Sequence, residues 1–83
     1  MHIIKAQEQH LSIIAPLFDQ YRIFYKQDSD LQAATEFLRR RIENKESVIF
    51  IAFINNDVVG FVQLYHSFSS VSLQPIFILN DLY

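Results

Sequence analysis

The chain has 83 residues, no cysteine, one glycine, 51% hydrophobic residues and a formal net charge of −2. This composition excludes an intrinsically disordered chain, and the length allows one small domain. Without cysteine there is no disulfide or thiolate site, and a net-acidic chain is a poor match for nucleic acid. The three histidines lack metal-ligand spacing. No apolar run is long enough to cross a bilayer, so we expect a cytoplasmic protein without metal, membrane contact or signal peptide.

The N-terminal part of the sequence predicts a short strand followed by a helix. The strand is expected at His2–Ala6, and the helix from Glu8 to about Lys26. Pro16 interrupts the helical pattern, so we expect a kink or a helix in two pieces. The apolar residues that recur at helical spacing are Leu11, Ile14, Ala15, Phe18, Tyr21 and Tyr25.

A polar break precedes a second predicted helix, which runs from Leu31 to about Asn44. Asp30 or Ser29 is expected to cap its N-terminus. The triplet Arg39–Arg41 fans around the helix axis, which favours a solvated face, with an anion-binding site as the alternative. The apolar stripe of this helix consists of Leu31, Ala34, Leu38 and Ile42, widened by Phe37.

The next segment predicts a β-hairpin. Val48–Ile54 is rich in β-branched and aromatic residues, which is typical of a strand buried on both faces. Asn55–Asp57 is a predicted tight turn, because Asn and Asp tolerate left-handed backbone. Val58–Tyr65 returns as the partner strand. Both helices are expected to pack on one face of this hairpin.

The rest of the chain predicts a loop and one more extended segment. The loop is expected at His66–Ser70, where a histidine among serines also raises the alternative of a nucleophilic hydrolase. No glycine elbow surrounds these serines, which disfavours that alternative. Val71–Tyr83 is predicted to be extended, with a bulge or an unpaired N–H at Pro75. The predicted order is β-α-α-β-β-β, with an α+β fold and a mixed, mainly antiparallel sheet.

The C-terminal half is nearly free of charge. From Ser47 to Tyr83 the only charged residues are Asp57 and Asp81. Strands this apolar need protein on both faces, and the first 46 residues supply cover for one. We therefore expect residues 1–83 to be the front half of a larger domain. The exposed strand Ile76–Tyr83 is then expected to pair with a second copy as a homodimer, or with a C-terminal half.

Two groups of residues are candidates for a site. Tyr21, Phe24 and Tyr25 share one region of the first helix, where they either pack on the sheet or form an aromatic wall for a small substrate. Asn80 and Asp81 end the last strand and are expected on opposite faces. They are either a strand-terminal polar pair or the residues that meet an amine substrate or orient a water.

These segments resemble the N-terminal half of an N-acetyltransferase of the GNAT superfamily, over essentially the whole chain. The resemblance depends on five segments that occur in the same order as in the family, and no single segment is specific by itself. The five segments are Ile3–Ala6, Ala15–Tyr25, Ser47–Ala52, Val59–Tyr65 and Leu79–Tyr83.

The resemblance implies specific roles for the two groups. Tyr21, Phe24 and Tyr25 would bind the acceptor amine, and Asp81 and Asn80 would be the catalytic candidates, with Asn80 at a position that is often Glu in the family. Acetyl-CoA would lie along the end of the last strand, at Asp81, Leu82 and Tyr83. The phosphate-binding loop of the family has no match in these residues, and the single Gly60 cannot form one.

The function implied is acetyl transfer from acetyl-CoA to a small-molecule or peptide amine by the complete protein. The 83 residues alone are not expected to bind acetyl-CoA usefully. The alternative, from a different class, is a non-catalytic remnant that acts as a self-associating β-sheet module.

Overall fold

The computed structural model describes Met1–Tyr83, and two helices and four strands account for most of the chain. In chain order they are β1 (His2–Lys5), α1 (Leu11–Phe24), α2 (Leu31–Glu43), β2 (Ser47–Ile54), β3 (Asp57–Ser69) and β4 (Gln74–Leu82), with a 3₁₀ turn at Glu8–His10 before α1. The predicted order β-α-α-β-β-β and the α+β class are confirmed. The sheet order is β1-β2-β3-β4, and every pair is antiparallel, so this part of the sheet is not mixed.

The first helix passes through Pro16 without a break. Pro16 is exposed, so the backbone bond that it cannot make is lost on the solvent side of the helix. The division into two pieces expected at Pro16 is therefore wrong, and a 3₁₀ turn at Glu8–His10 precedes α1 instead. The second helix begins as predicted, because the Asp30 carboxylate accepts a hydrogen bond of 3.0 Å from the Ala33 N–H.

The connection between the helices is held by a buried carboxylate of α1. Asp19 accepts a hydrogen bond of 2.6 Å from the Ser29 hydroxyl and one of 2.8 Å from the Asp30 N–H. These two donors lower the pKa of Asp19 below its ordinary value, and the Ser29 hydroxyl has the larger effect. The carboxylate therefore fixes the start of α2 against the middle of α1.

The strands β2 and β3 form the predicted hairpin, and Asn55 and Asn56 have the positive φ angles, 56° and 84°, that its tight turn requires. The loop predicted at His66–Ser70 is wrong, because β3 continues to Ser69 and pairs with β4 along its whole extension. The connecting turn lies at residues 70–73 instead. Pro75 is tolerated without a bulge at its own position, since β4 is paired on one side only.

Both helices pack on one face of the sheet, as predicted. We call this the helix face. The hydrophobic core lies between the two layers and consists of Ala6, Leu11, Ile14, Ala15, Phe18, Ala34, Leu38, Ile49, Ile51 and Phe61. Neither helix is long and apolar enough to cross a membrane.

The opposite side of the sheet, which we call the open face, carries no helix. It presents the alternate residues of the same strands, among them Phe50, Val62 and Leu64, which are half-buried. On β4, Leu79 and Leu82 are 56% and 70% exposed. The expectation that the N-terminal residues cover only one face of the sheet therefore agrees with the structure.

Candidate functional site

The Asp81 side chain is buried near the end of β4, on the helix face. A bulge places Asn80 out of register, so that Asp81 lies opposite Gln63 of β3. One carboxylate oxygen, Oδ1, accepts a hydrogen bond of 2.9 Å from the Tyr21 hydroxyl. The other, Oδ2, accepts one of 2.6 Å from the Gln63 side-chain amide. Asp81 is 6% exposed, so a buried carboxylate has a donor on each of its oxygens.

The hydrogen bonds continue from Gln63 to the start of β2. The Gln63 carbonyl oxygen accepts a hydrogen bond of 2.7 Å from the Ser47 hydroxyl. Because an ionised carboxylate can only accept, the amide nitrogen must face Asp81 and the carbonyl oxygen must face Ser47. Every buried side-chain polar atom in the structure has a partner. We call Ser47, Gln63, Asp81 and Tyr21 the polar chain; its members lie on β2, β3, β4 and α1.

Tyr21 links the polar chain to a group of aromatic side chains. Its ring lies 5.5 Å from that of Phe61, 5.7 Å from that of Tyr83 and 5.1 Å from that of Tyr25, between centroids. Burial, and then the hydrogen bond to Asp81, raise the pKa of Tyr21 to about 12. The phenol therefore stays protonated at neutral pH and donates its proton to Asp81.

The structure brings most of the predicted site residues together. Phe24 lies 5.3 Å from Tyr25 and 6.3 Å from Tyr83, between ring centroids, next to Tyr21. These three outer residues are exposed, and we call Phe24, Tyr25 and Tyr83 the aromatic rim. Asn80 is not among them. It is exposed, its side chain makes no hydrogen bond, and the bulge separates it from the polar chain.

The predicted cofactor-binding residues differ in whether their backbone N–H and C=O groups are already hydrogen-bonded. The Tyr83 N–H and C=O are both bonded to Phe61, at 3.1 and 3.0 Å. In an antiparallel pair the neighbouring residue points its polar groups the other way, so Leu82 presents its N–H and C=O at the outer edge of β4. Gly60 permits this pairing, since a Cβ there would lie 2.6 Å from the Tyr83 carbonyl oxygen. Of the three predicted cofactor-binding residues, Leu82 is thus the one with free backbone groups at this edge.

Gln63 and Ser47 were not predicted from the sequence. Both residues are far from Asp81 along the chain. Their hydrogen bonds depend on the register of three strands, which local sequence patterns do not predict. One signal was present: Gln63 is a long polar residue two positions from Phe61 in a strand whose alternate residues are buried. A polar side chain at such a position needs a buried partner.

The two alternative sites of the sequence analysis do not form. No hydrogen bond joins His66 to a serine; its ring lies 4.6 Å from that of Phe77, and Ser69 and Ser72 bond to each other instead. The arginine triplet is neutralised by acids. Its ion pairs are Arg39 with Glu8 and Glu36, Arg40 with Glu36, and Arg41 with Glu46. The solvated-face interpretation therefore agrees with the structure for Arg39 and Arg40, whereas the Arg41 side chain is 23% exposed and lies over the Phe37 ring.

Comparisons with known proteins agree with this architecture, although no protein-family model matches the chain. The chain is 57% identical over 83 residues to the uncharacterized N-acetyltransferase YhfO of Bacillus subtilis, of which it covers 56%. It is 34% identical over 84 residues to a probable acetyltransferase of Haemophilus influenzae, of which it covers 58%. In both cases the match includes the whole of this chain, which spans about half the length of these relatives.

Solved structures give the same result. The crystal structure of a probable acetyltransferase, 46% identical, superposes on the whole chain with a TM-score of 0.94, and 56% of that structure is covered. A predicted acetyltransferase of Clostridium acetobutylicum, solved with acetyl-CoA, is only 13% identical but has a TM-score of 0.76 over 99% of this chain and 58% of that one. Residues 1–83 therefore form the N-terminal part of a GNAT-type acetyltransferase fold.

Proposed function

We propose that this chain supplies the acceptor side and the acetyl-CoA strand edge of an N-acetyltransferase. The enzyme would transfer an acetyl group from acetyl-CoA to a small-molecule or peptide amine. The observation that carries the proposal is the buried Asp81 carboxylate bonded to Tyr21 beside an exposed aromatic rim. The relatives that are named N-acetyltransferases support it. The absence of cysteine favours the cytoplasm as its location.

The chemistry asks two things of the acceptor side. An amine is protonated at neutral pH, so it must be oriented by a negative or polar group and must lose a proton before its nitrogen can attack a thioester. In our proposal Asp81 provides the negative charge, and Tyr21 completes the polar surface. Phe24 and Tyr25 are exposed and aromatic, and would contact the apolar part of the acceptor. Asn80, on the bulge, would stay outside the reaction.

The outer edge of β4 fits an extended, hydrogen-bonding cofactor arm. Leu82 presents a free N–H and C=O there, and Asp81 and Tyr83 flank it. When bound, acetyl-CoA supplies the acetyl group as a reactive thioester. Its phosphates need several backbone N–H groups that converge, and Gly60, the one glycine, is already committed to its contact with Tyr83. We therefore propose that the phosphates are held by residues outside this segment.

A complementation experiment tests the proposal. This chain would be mixed with the separately produced segment that follows the matching region in the Bacillus subtilis relative, and amine-dependent release of the CoA thiol would be measured over a panel of amines. We expect activity that falls at least about tenfold in Asp81→Asn. Asp57→Asn, at the exposed first residue of β3, is the matched control and should retain activity. A complex that assembles but releases no CoA, or one that is insensitive to Asp81→Asn, would contradict the proposal.

A second candidate function is a non-catalytic, self-associating β-sheet module. The observation that favours it is the open face, where apolar side chains of β3 and β4 are exposed without a covering element. The two candidates respond differently to one variant. Asp81→Asn removes a buried charge and leaves the open face unchanged, so it should lower acetyl transfer at least about tenfold without altering self-association.

A further inference from the structure

The hydrogen bonds of the polar chain indicate that Tyr21 and Asp81 have different roles in the proposed acceptor site. Resting on the proposed function, we infer that the Tyr21 hydroxyl, and not the Asp81 carboxylate, contacts the acceptor amine. Asp81 is then a positioning residue that acts through Tyr21, and Gln63 and Ser47 hold it in place. This differs from the role that the resemblance implies for Asp81.

Burial and hydrogen bonding argue against direct contact between Asp81 and a substrate. Asp81 is 6% exposed, and each of its carboxylate oxygens already accepts a hydrogen bond. Gln63, which donates one of them, is fully buried and cannot turn away, because its own carbonyl oxygen is bonded to Ser47. An amine that reached Asp81 would have to displace Tyr21 or leave the Gln63 amide unpaired, and a buried unpaired amide is costly.

Tyr21 has the properties that Asp81 lacks. It is half-buried on α1, and its ring touches those of Tyr25 and Tyr83, two members of the aromatic rim. Its single hydroxyl proton is donated to Asp81, which leaves lone pairs on the phenol oxygen to accept a hydrogen bond. The adjacent carboxylate polarises the phenol and makes that oxygen a better acceptor. Tyr21 is therefore the member of the pair that can accept an N–H from outside.

This arrangement also suits the reaction. The acceptor arrives as an ammonium ion and must first release one proton to water. The neutral amine can then donate an N–H to the phenol oxygen while its nitrogen lone pair stays free to point at the thioester carbon, which a nucleophile requires. The buried members of the polar chain fix the direction of the phenol O–H, and so the direction of its free lone pairs. Stability alone would be served by apolar residues at Ser47 and Gln63, because buried polar networks gain little over well-packed hydrophobic side chains.

The experiment uses the full chain labelled with ¹³C at the tyrosine Cζ atoms and titrated with n-butylamine. n-Butanol, which has the same alkyl group without the charged nitrogen, is the matched ligand control. We expect a saturable shift of the Tyr21 signal with the amine and none with the alcohol. Affinity, followed through the Tyr83 signal, should fall about tenfold in Tyr21→Phe and by a similar factor in Asp81→Asn. Tyr65→Phe, a conservative change outside the rim, should leave affinity unchanged.

A second variant tests whether Asp81 positions Tyr21 or only stabilises the fold. In Gln63→Leu, confirmed to be folded by its amide spectrum, butylamine affinity and the pKa of Tyr21 should change together, because both report the contact of Asp81 with the phenol. Absence of a butylamine effect on Tyr21, or affinity that survives Tyr21→Phe but not Asp81→Asn, would overturn the inference. Failure of acetyl transfer in the complementation experiment, with the butylamine contact intact, would instead overturn the proposed function alone.

Discussion

The phenol of Tyr21 is held by aromatic rings on one side and by a carboxylate on the other. Both surroundings raise the pKa of this phenol. The rings exclude water from the charged form, and Asp81 binds the proton-bearing form and repels the negative charge of the phenolate. Tyr65 is affected in the same direction, by burial first and then by the charge of Asp81, which raises its pKa as well. The fold therefore keeps both phenols neutral well above physiological pH.

This environment predicts a stability change at high pH. The pKa of Tyr21 rises from 10.0 to about 12 on folding, so the unfolded chain loses this proton first as the pH increases. The stabilisation from Tyr21 is present below pH 10 and is lost as the pH rises through about 12. Urea unfolding measured across this range should show the loss, and phenolate absorbance of Tyr65→Phe should assign the late ionisation to Tyr21. In Asp81→Asn we expect the pKa of Tyr21 to fall. Ionisation of Tyr21 near 10 in the native chain would contradict this prediction.

The two helices act as one layer because their connection is held from within. Asp19 of α1 accepts hydrogen bonds from Ser29 and Asp30, and Asp30 in turn caps α2. One carboxylate thus sets both the end of the connection and the start of the second helix. Since its donors stabilise the ionised form, the benefit depends on pH.

For Asp19 we predict an acid-side loss of stability. Its folded pKa lies below the ordinary value of 3.8, so the stabilisation is present above that pH and is lost as the pH falls through the folded pKa. Asp19→Asn should have a lower urea midpoint at neutral pH and a weaker dependence on pH below 4. The control is Asp28→Asn, an exposed residue of the same connection. Equal midpoints for the two variants at neutral pH would show that Asp19 does not hold the helices.

The contact between the helix layer and the sheet depends most on Phe18. It is buried, and its ring lies 5.9 Å from that of Phe37 on α2 and 6.0 Å from that of Phe61 on β3, between centroids. We predict that Phe18→Ala lowers the free energy of unfolding by about 3–5 kcal/mol. Phe24→Ala, at a position that is 70% exposed, should cost no more than about 0.5 kcal/mol. A loss below about 1 kcal/mol for Phe18→Ala, measured by urea unfolding, would mean that Phe18 is not a core residue.

At the level of the elements, periodicity predicted what depends on local sequence. The helix stripes of α1 and α2, the Asn55–Asp57 turn and the order of the elements all follow from side-chain spacing and turn chemistry. The end of β3 does not. His66–Ser69 consists of serines and aromatic residues that a local pattern assigns to a loop, and these residues form strand because β4 lies beside them. Pairing between distant segments overrides local preference here.

The contacts within the candidate site also depend on pairing between distant segments, so local sequence does not predict them. Tyr21 and Asp81 were identified individually, but the hydrogen bond between them depends on how α1 crosses the sheet. Gln63 and Ser47 depend on the register of β2, β3 and β4, and on the bulge at Asn80 that sets the phase of Asp81. A shift of one residue in the β3–β4 register would turn the Asp81 side chain to the open face and break its hydrogen bonds to Tyr21 and Gln63. No spacing within a single segment contains that information.

At the scale of the whole molecule, charge and apolar surface are separated. All seven basic residues lie between Lys5 and Lys45, in the part of the chain that contains the helices. The strands that follow contain only Asp57 and Asp81 as charged residues. No cluster of basic residues or glycines is therefore available near the edge of β4, where an anionic cofactor would begin.

This distribution predicts weak cofactor binding by the 83 residues alone. The outer edge of β4 offers Leu82 for hydrogen bonds, but the phosphates of acetyl-CoA contribute much of its charge and need converging N–H groups. We expect no micromolar binding of acetyl-CoA in calorimetric titration of the isolated chain. Addition of the complementing segment from the Bacillus subtilis relative should restore binding. Micromolar affinity of the chain by itself would contradict the prediction.

The last prediction concerns the open face and the β4 edge beside it. Four exposed apolar side chains of the β3–β4 hairpin lie on the open face: Phe68, Phe77, Leu79 and Leu82. No charge lies between Asp57 and Asp81, so two copies would meet here without repulsion. Exposed apolar side chains that lie together on an uncovered sheet face mark an interface. We therefore predict that the isolated chain forms a homodimer through β4 at micromolar concentration.

Sedimentation velocity of two lysine variants tests this prediction. Leu79→Lys places a charge on the open face at a position that is 56% exposed, beside the free edge of β4, and should shift the chain to monomer. Ile23→Lys adds the same charge at a position on α1 that is 46% exposed, and should leave the dimer intact. Sedimentation of the native chain as a monomer would overturn the prediction. Dimers in both variants would place the interface away from β4. Because Leu79 lies opposite Leu64 in the register, the loss of dimer in Leu79→Lys alone would identify the open face as the surface that needs a partner.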